Sequence, residues 1–237
     1  GVMRNAKDAR IGIEIGSLAQ ALEQYKSDNL AYPPDFALNL AQDQFQLNTH
    51  LARKFRYRNK VNDVVPMDGL DPAEALVFWL SGLSSDPKLP ISRREPYPIA
   101  AGPVKGATPY FEFDQSRLQD IDEDGWPEYY PEDGEMPYVY LSSNNYGVKQ
   151  DDGTYLTASH LIRNGAATVR AYAAELDGVA VKRYASAEKF QIICAGQDNE
   201  FGAGAMLDAG LAATYPDGVG YSPSDDDNLT NFSEGQT

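Results

Sequence analysis

Apolar residues fall at Ile11, Ile15, Leu18, Leu22 and Tyr25, in alternating steps of four and three. That spacing puts all five on one stripe of an α-helix. The other faces carry Arg4, Lys7, Asp8, Arg10, Glu14, Gln20, Glu23, Gln24 and Lys26, which predicts that they are wet. Asp28-Asn29 suits a helix end, and Tyr32-Pro33-Pro34 cannot continue one, since proline also disfavours helix in the residue before it. The pattern therefore predicts a helix of about 25 residues, roughly 38 Å long, from Arg4 to Asn29. It begins without a capping signal, as a helix cut from a longer one would.

Asp71-Pro72-Ala73-Glu74 marks a second helix start: Asp71 can cap, Pro72 fits the first turn, and Glu74 sits at the capping-box position. Ala75 to Leu80 is apolar all round and reads as a buried helix stopping near Gly82. Residues 84–109 read as a long loop. Tyr110–Phe113 and Met136–Leu141 read as short strands, with the turn-rich Asp120–Gly134 between them. Ala166–Leu176 has helical composition, Val179–Tyr184 suits a strand, and Ala203–Ala213 suits a short helix. Phe190–Cys194 is the clearest strand, broken by Gly196, with Phe190, Ile192 and Cys194 on one face. The lone cysteine, Cys194, excludes an intrachain disulfide and reads as a buried structural thiol.

At 237 residues the chain is long enough for a real core, and 15 tyrosines with 15 prolines suggest many short strands and loops. A net charge of −15 makes nucleic acid and anionic membranes poor partners. The basic run Arg53-Lys54-Phe55-Arg56-Tyr57-Arg58-Asn59-Lys60 reads as a solvated face, with pairing to a neighbour's carboxylates as the alternative. No run approaches the ~20 apolar residues of a membrane span.

Candidate chemistry is acidic. Asp120-Ile121-Asp122-Glu123-Asp124-Gly125 places carboxylates at alternate positions before a turn-permitting glycine, as a loop around a hard cation does. The twelfth position, Pro131, excludes an EF-hand, but Glu128 is close enough to serve, so Asp120, Asp122, Asp124 and Glu128 are candidate Ca²⁺ ligands. The rival reading is a solvated acidic turn. Asp225-Asp226-Asp227 is a second concentration of like charge, which needs an offsetting cation or stays a solvated tail. Catalysis finds little footing. His50 and His160 lack metal-ligand spacing, no Gly-x-Ser-x-Gly elbow is present, and Gly202-Ala203-Gly204 is too short for a phosphate loop. Asn228-Leu229-Thr230 and Asn231-Phe232-Ser233 match the glycosylation pattern, which is common by chance.

The helix stripe followed by Lys26-Ser27-Asp28-Asn29-Leu30-Ala31-Tyr32-Pro33 resembles the end of the N-terminal helix of bacterial pseudopilins and type IV pilin-like proteins. Phe190 to Asp198, and then Asp225-Asp226-Asp227-Asn228-Leu229-Thr230-Asn231-Phe232, resemble that family's C-terminal strand and closing acidic segment, in the family's order. The resemblance implies an α+β fold with one long N-terminal helix on an antiparallel sheet. Residues 1–34 would hold the helix, 35–185 an enlarged variable region, and 186–237 the terminal strand and acidic loop, within one globular domain. It implies a hydrophobic half-helix just before residue 1, with Gly1-Val2-Met3 the scar of a soluble version. It also implies a structural Ca²⁺ in the C-terminal loops, for which Asp198, Asp225 and Asp227 are the candidate ligands, although an insertion near 203–220 separates them. The expected function is that of a structural subunit of a type II secretion pseudopilus or type IV pilus-like fibre, not an enzyme. Such a subunit is periplasmic or at the cell surface, anchored in the inner membrane before assembly, with other pilin subunits and the secretion or pilus machinery as partners. The alternatives are a periplasmic or cell-surface module binding a sugar or peptide, and a secreted hydrolase.

Overall fold

The computed structural model describes residues 2–92, 108–163, 165–202, 212–216 and 218–232. Three α-helices come first: α1 (Val2–Asn29), α2 (Leu40–Lys54) and α3 (Ala75–Leu80). Strands follow as β1 (Leu118–Gln119), β2 (Glu128–Tyr129), β3 (Val139–Ser142), β4 (Gly147–Lys149), β5 (Tyr155–Thr157), β6 (Ser159–Ile162), β7 (Ala167–Arg170), β8 (Ala173–Asp177), β9 (Ala180–Tyr184), β10 (Phe190–Cys194) and β11 (Leu229–Thr230). They form four small antiparallel sheets, ordered β1-β2, β11-β10-β3, β4-β5-β9-β8 and β6-β7.

This corrects the expected α+β architecture of one long helix on one antiparallel sheet: the strands of the described residues are divided among four separate small sheets. No strand among the described residues exceeds five residues, because turn residues interrupt the chain every few positions. The expected helix over Ala166–Leu176 is instead β7 and β8, and β8 turns into β9 at Gly178, whose φ of 62° suits the bend. The expected strand Tyr110–Phe113 is irregular: the N–H groups of Tyr110 and Phe111 both bond Leu80 carbonyl oxygen, leaving no ladder. An unpredicted helix, α2, is capped by Asn39, whose side chain accepts from Gln42 N–H at 3.1 Å. The expected helix at 203–213 lies largely outside the described residues.

α1 buries its whole predicted stripe, Ile11, Ile15, Leu18, Leu22 and Tyr25. It ends on Leu30, which takes a left-handed φ of 71° and donates its N–H to Lys26 carbonyl oxygen at 2.8 Å. The two prolines that follow offer only carbonyls. Core donors meet both: Tyr140 hydroxyl reaches Pro33 at 2.7 Å, and Trp79 indole N–H reaches Pro34 at 2.8 Å.

The central sheet β11-β10-β3 is buried on both faces. Phe190, Ile192, Cys194, Tyr138 and Tyr140 join the core formed with α1 and α3. Val139, Leu141 and Ile193 face a second core shared with Ile162, Val169, Val181 and Tyr184 of the smaller sheets. Burial on both sides explains the unbroken apolar run Ile192-Ile193-Cys194-Ala195. Burial also pushes the Cys194 thiol up to about 12, consistent with an inert structural cysteine. Among the described residues no helix is long and apolar enough to cross a membrane.

Candidate metal centre

The acidic stretch Asp120–Gly125 forms the start of the loop that joins β1 to β2, whose register pairs Gln119 with Glu128 and Leu118 with Tyr129. Asp120 closes the loop from within: its two carboxylate oxygens accept the N–H groups of Asp124 and Gly125, each at 3.1 Å. Glu123 (φ 59°) and Gly125 (φ 93°) supply the left-handed turns. Asp124 Oδ1 then accepts Trp126 N–H at 2.8 Å, and the buried Trp126 ring packs on Phe78 of α3, with centroids 5.4 Å apart. A half-buried acidic loop is thereby held against the start of a buried helix.

At that contact one carboxylate oxygen from each of Glu74, Asp122 and Asp124 lies within 4.8 Å of the others. Among the described residues this is the one group of three His, Cys, Asp or Glu side chains placed as metal ligands would be. Glu74 is buried; its Oε2 accepts Asp71 N–H at 2.7 Å, and its Oε1 is buried with no hydrogen-bond partner. Asp124 Oδ2 is likewise buried without a partner. Backbone passes close by at Gly69 (φ 97°), where a Cβ would collide with Asp124 Oδ2.

Asp71 and Glu128 flank the group. Asp71 accepts Ala73 N–H at 2.7 Å and Arg163 N–H at 2.6 Å. Glu128, fully buried, accepts the Tyr130 hydroxyl and pairs with Arg163 Nε at 3.7 Å. Burial raises the carboxyls here: Asp71 and Asp124 to about 6, Glu128 to about 7, Glu74 well above its ordinary value, and Asp122 upward. Mutual repulsion adds to burial, with Asp71 acting on Glu74 and Asp120 on Asp122. Carboxylates that resist ionisation when alone are the donor set that a hard cation stabilises.

Of the residues singled out in the sequence, Asp122 and Asp124 meet in this group and Glu128 lies beside it. Asp120 is committed to backbone donors. Glu74 and Asp71 were read only as helix-start residues, because the sequence does not reveal that the β1–β2 loop folds back over that turn. The capping-box position of Glu74 is real in part, since it does bind Asp71 N–H.

The C-terminal aspartates are used differently. Asp225 is buried and accepts from Ser222 N–H and Oγ, both at 2.8 Å, and from Tyr172 hydroxyl at 3.0 Å, beside Arg170 at 3.4 Å. Asp227 Oδ2 accepts the N–H groups of Gln197 at 2.7 Å and Asp198 at 3.2 Å. Asp198 is exposed, and its carboxylate accepts Glu200 N–H at 2.9 Å. The segment is fastened by β11, where Ile193 pairs with Thr230 and Cys194 with Leu229. Among the described residues Asp198, Asp225 and Asp227 are not gathered as one group of three side-chain ligands, and Asp227 Oδ1 is buried without a hydrogen-bond partner.

No family model matches the chain, and no curated protein or solved structure matches it either.

Proposed function

We propose that this chain is a structural subunit of a type II secretion pseudopilus or type IV pilus-like fibre, working by assembly rather than covalent chemistry. One observation carries the reading. α1 turns an open apolar face away from the body, at Gly12, Ile13 and Gly16. Ile13 is 72% exposed, and apart from the adjoining residues and the backbone of α1 itself no atom lies within 4 Å of where a Cβ on Gly12 or Gly16 would stand. A glycine inside a helix costs about 0.5–1 kcal/mol relative to alanine, so two on a helix that is otherwise well made need a reason. Close approach of a neighbouring helix supplies one, as it does wherever small residues line helix contacts. The partners are then other pilin-type subunits and the secretion or pilus machinery, in the periplasm or at the cell surface, with assembly starting from the inner membrane.

The test is made in the native host with the chain expressed from its own gene. Sheared fibres should contain this chain, and Gly16→Leu should exclude it from them while the soluble protein still folds. A chain found only in the unassembled fraction, or a Gly16→Leu variant that assembles like the wild type, would overturn the reading.

A further inference from the structure

The contact between the β1–β2 loop and the start of α3 concentrates negative charge beside Arg163, whose field reaches Asp122. Arg163 is taken up by Glu128 through its side chain and by Asp71 through its backbone. Among the described residues no lysine or arginine lies within ion-pair distance of Glu74 or Asp124. A buried carboxylate oxygen left without a donor costs more than an ordinary lost hydrogen bond. Here two such oxygens, Glu74 Oε1 and Asp124 Oδ2, belong to one group with Asp122.

We propose that Glu74, Asp122 and Asp124 form a binding site for one calcium ion, which fastens the β1–β2 loop to the start of α3. All three donors are hard oxygens, which excludes a thiolate- or imidazole-seeking metal as the intended occupant. Their irregular convergence, from two segments far apart in the chain, suits Ca²⁺. That ion accepts six to eight oxygens in flexible geometry, with waters completing its shell, whereas Mg²⁺ demands a near-ideal octahedron. Glu74 sets the position, because its backbone belongs to the buried turn before α3 and its Oε2 is already fixed by Asp71 N–H. Asp124 is oriented in the same way by Trp126 N–H on its other oxygen. Asp120 shapes the loop without serving as a ligand. The site stands independently of fibre assembly, since every donor lies within one chain.

The alternative is a proton shared among the three carboxyls, and the test separates the two. Chelator-stripped protein is titrated in a calorimeter with CaCl₂ and with MgCl₂, and its melting temperature is followed in parallel. We expect one Ca²⁺ per chain, Mg²⁺ bound at least tenfold more weakly, and a melting temperature that rises by several degrees with Ca²⁺ and falls back with chelator. Glu74→Gln should weaken Ca²⁺ at least tenfold, whereas Asp151→Asn, a like change of charge on a distant exposed loop, should bind as the wild type does. If Glu74→Gln fails to fold, Asp122→Asn on the half-buried loop carries the same expectation. Absence of saturable Ca²⁺ binding to the stripped protein, or affinity unchanged in the variants at Glu74 and Asp122, would assign the cluster to a shared proton. Equal affinity for Mg²⁺ would overturn the calcium assignment.

Discussion

The carboxylate of Glu14, on α1, accepts the hydroxyl of Tyr138 at 2.6 Å. It also takes the Tyr129 hydroxyl at 2.9 Å and Arg117 Nη1 at 2.9 Å, so one side chain on the first helix gathers three donors from beyond residue 115. Tyr129 and Tyr138 are buried, and deleting their acceptor leaves hydroxyls with nowhere to turn. Glu14→Ala should lower unfolding free energy by about 1–3 kcal/mol in urea melts. Glu14→Gln, which keeps an acceptor, should cost less, and equal losses would show that the donors find water instead.

Leu22 is fully buried on the same helix, against the core that includes Phe190 and Ile192. Leu22→Ala should cost about 2–5 kcal/mol, while the exposed Gln20→Ala should cost little. Chemical denaturation of the two variants side by side makes the comparison.

These two positions mark how far the sequence could be read. The stripe from Ile11 to Tyr25 was legible because helical spacing is local, and the alternation of Phe190, Ile192 and Cys194 was legible for the same reason. Glu14 was read as a wet residue. Its partners lie more than a hundred positions away, and nothing in the pattern of α1 announces them. The division into four sheets was also hidden, since strand pairing is decided by contacts between segments that each look weak alone. The acidic loop was visible at Asp120–Asp124, but Glu74 could enter only once folding laid that loop over α3. At the C-terminus the run Asp225-Asp226-Asp227 suggested a metal, while the donors that hold Asp225, from Tyr172, Ser222 and Arg170, could not be read from it.

α2 carries two groups that titrate against each other. Burial, helped by Arg53, lowers His50 to about 4, so His50 binds protons more readily in the unfolded chain and its contribution grows as pH rises from about 4 to 6.5. Burial, with repulsion from Asp35, raises Asp43 to about 7, so its contribution is present at low pH and is lost as pH rises from about 4 to 7. Each full proton difference is worth about 1.4 kcal/mol per pH unit. Relative to the wild type, Asp43→Asn should therefore gain stability and His50→Gln should lose it as pH is raised through this window. Melting curves at pH 4.5 and 7 would contradict the assignment if the two variants shifted in the same sense.

Gly69 adopts φ 97° where a Cβ would strike Asp124 Oδ2. Gly69→Ala should cost about 1–3 kcal/mol through backbone strain and displacement of Asp124. It should also weaken Ca²⁺ binding in the same calorimetric titration, whereas Gly153→Ala, at φ 87° with open space around it, should show strain alone. Full calcium affinity in Gly69→Ala would mean that Asp124 can be displaced without consequence for the site.

The most direct measurement is a crystal of the protein grown with calcium, with diffraction collected at long wavelength for the anomalous signal of the ion. One peak should stand between Glu74, Asp122 and Asp124, with none among Asp198, Asp225 and Asp227. A centre without a peak, or a peak confined to the C-terminal aspartates, would contradict the assignment.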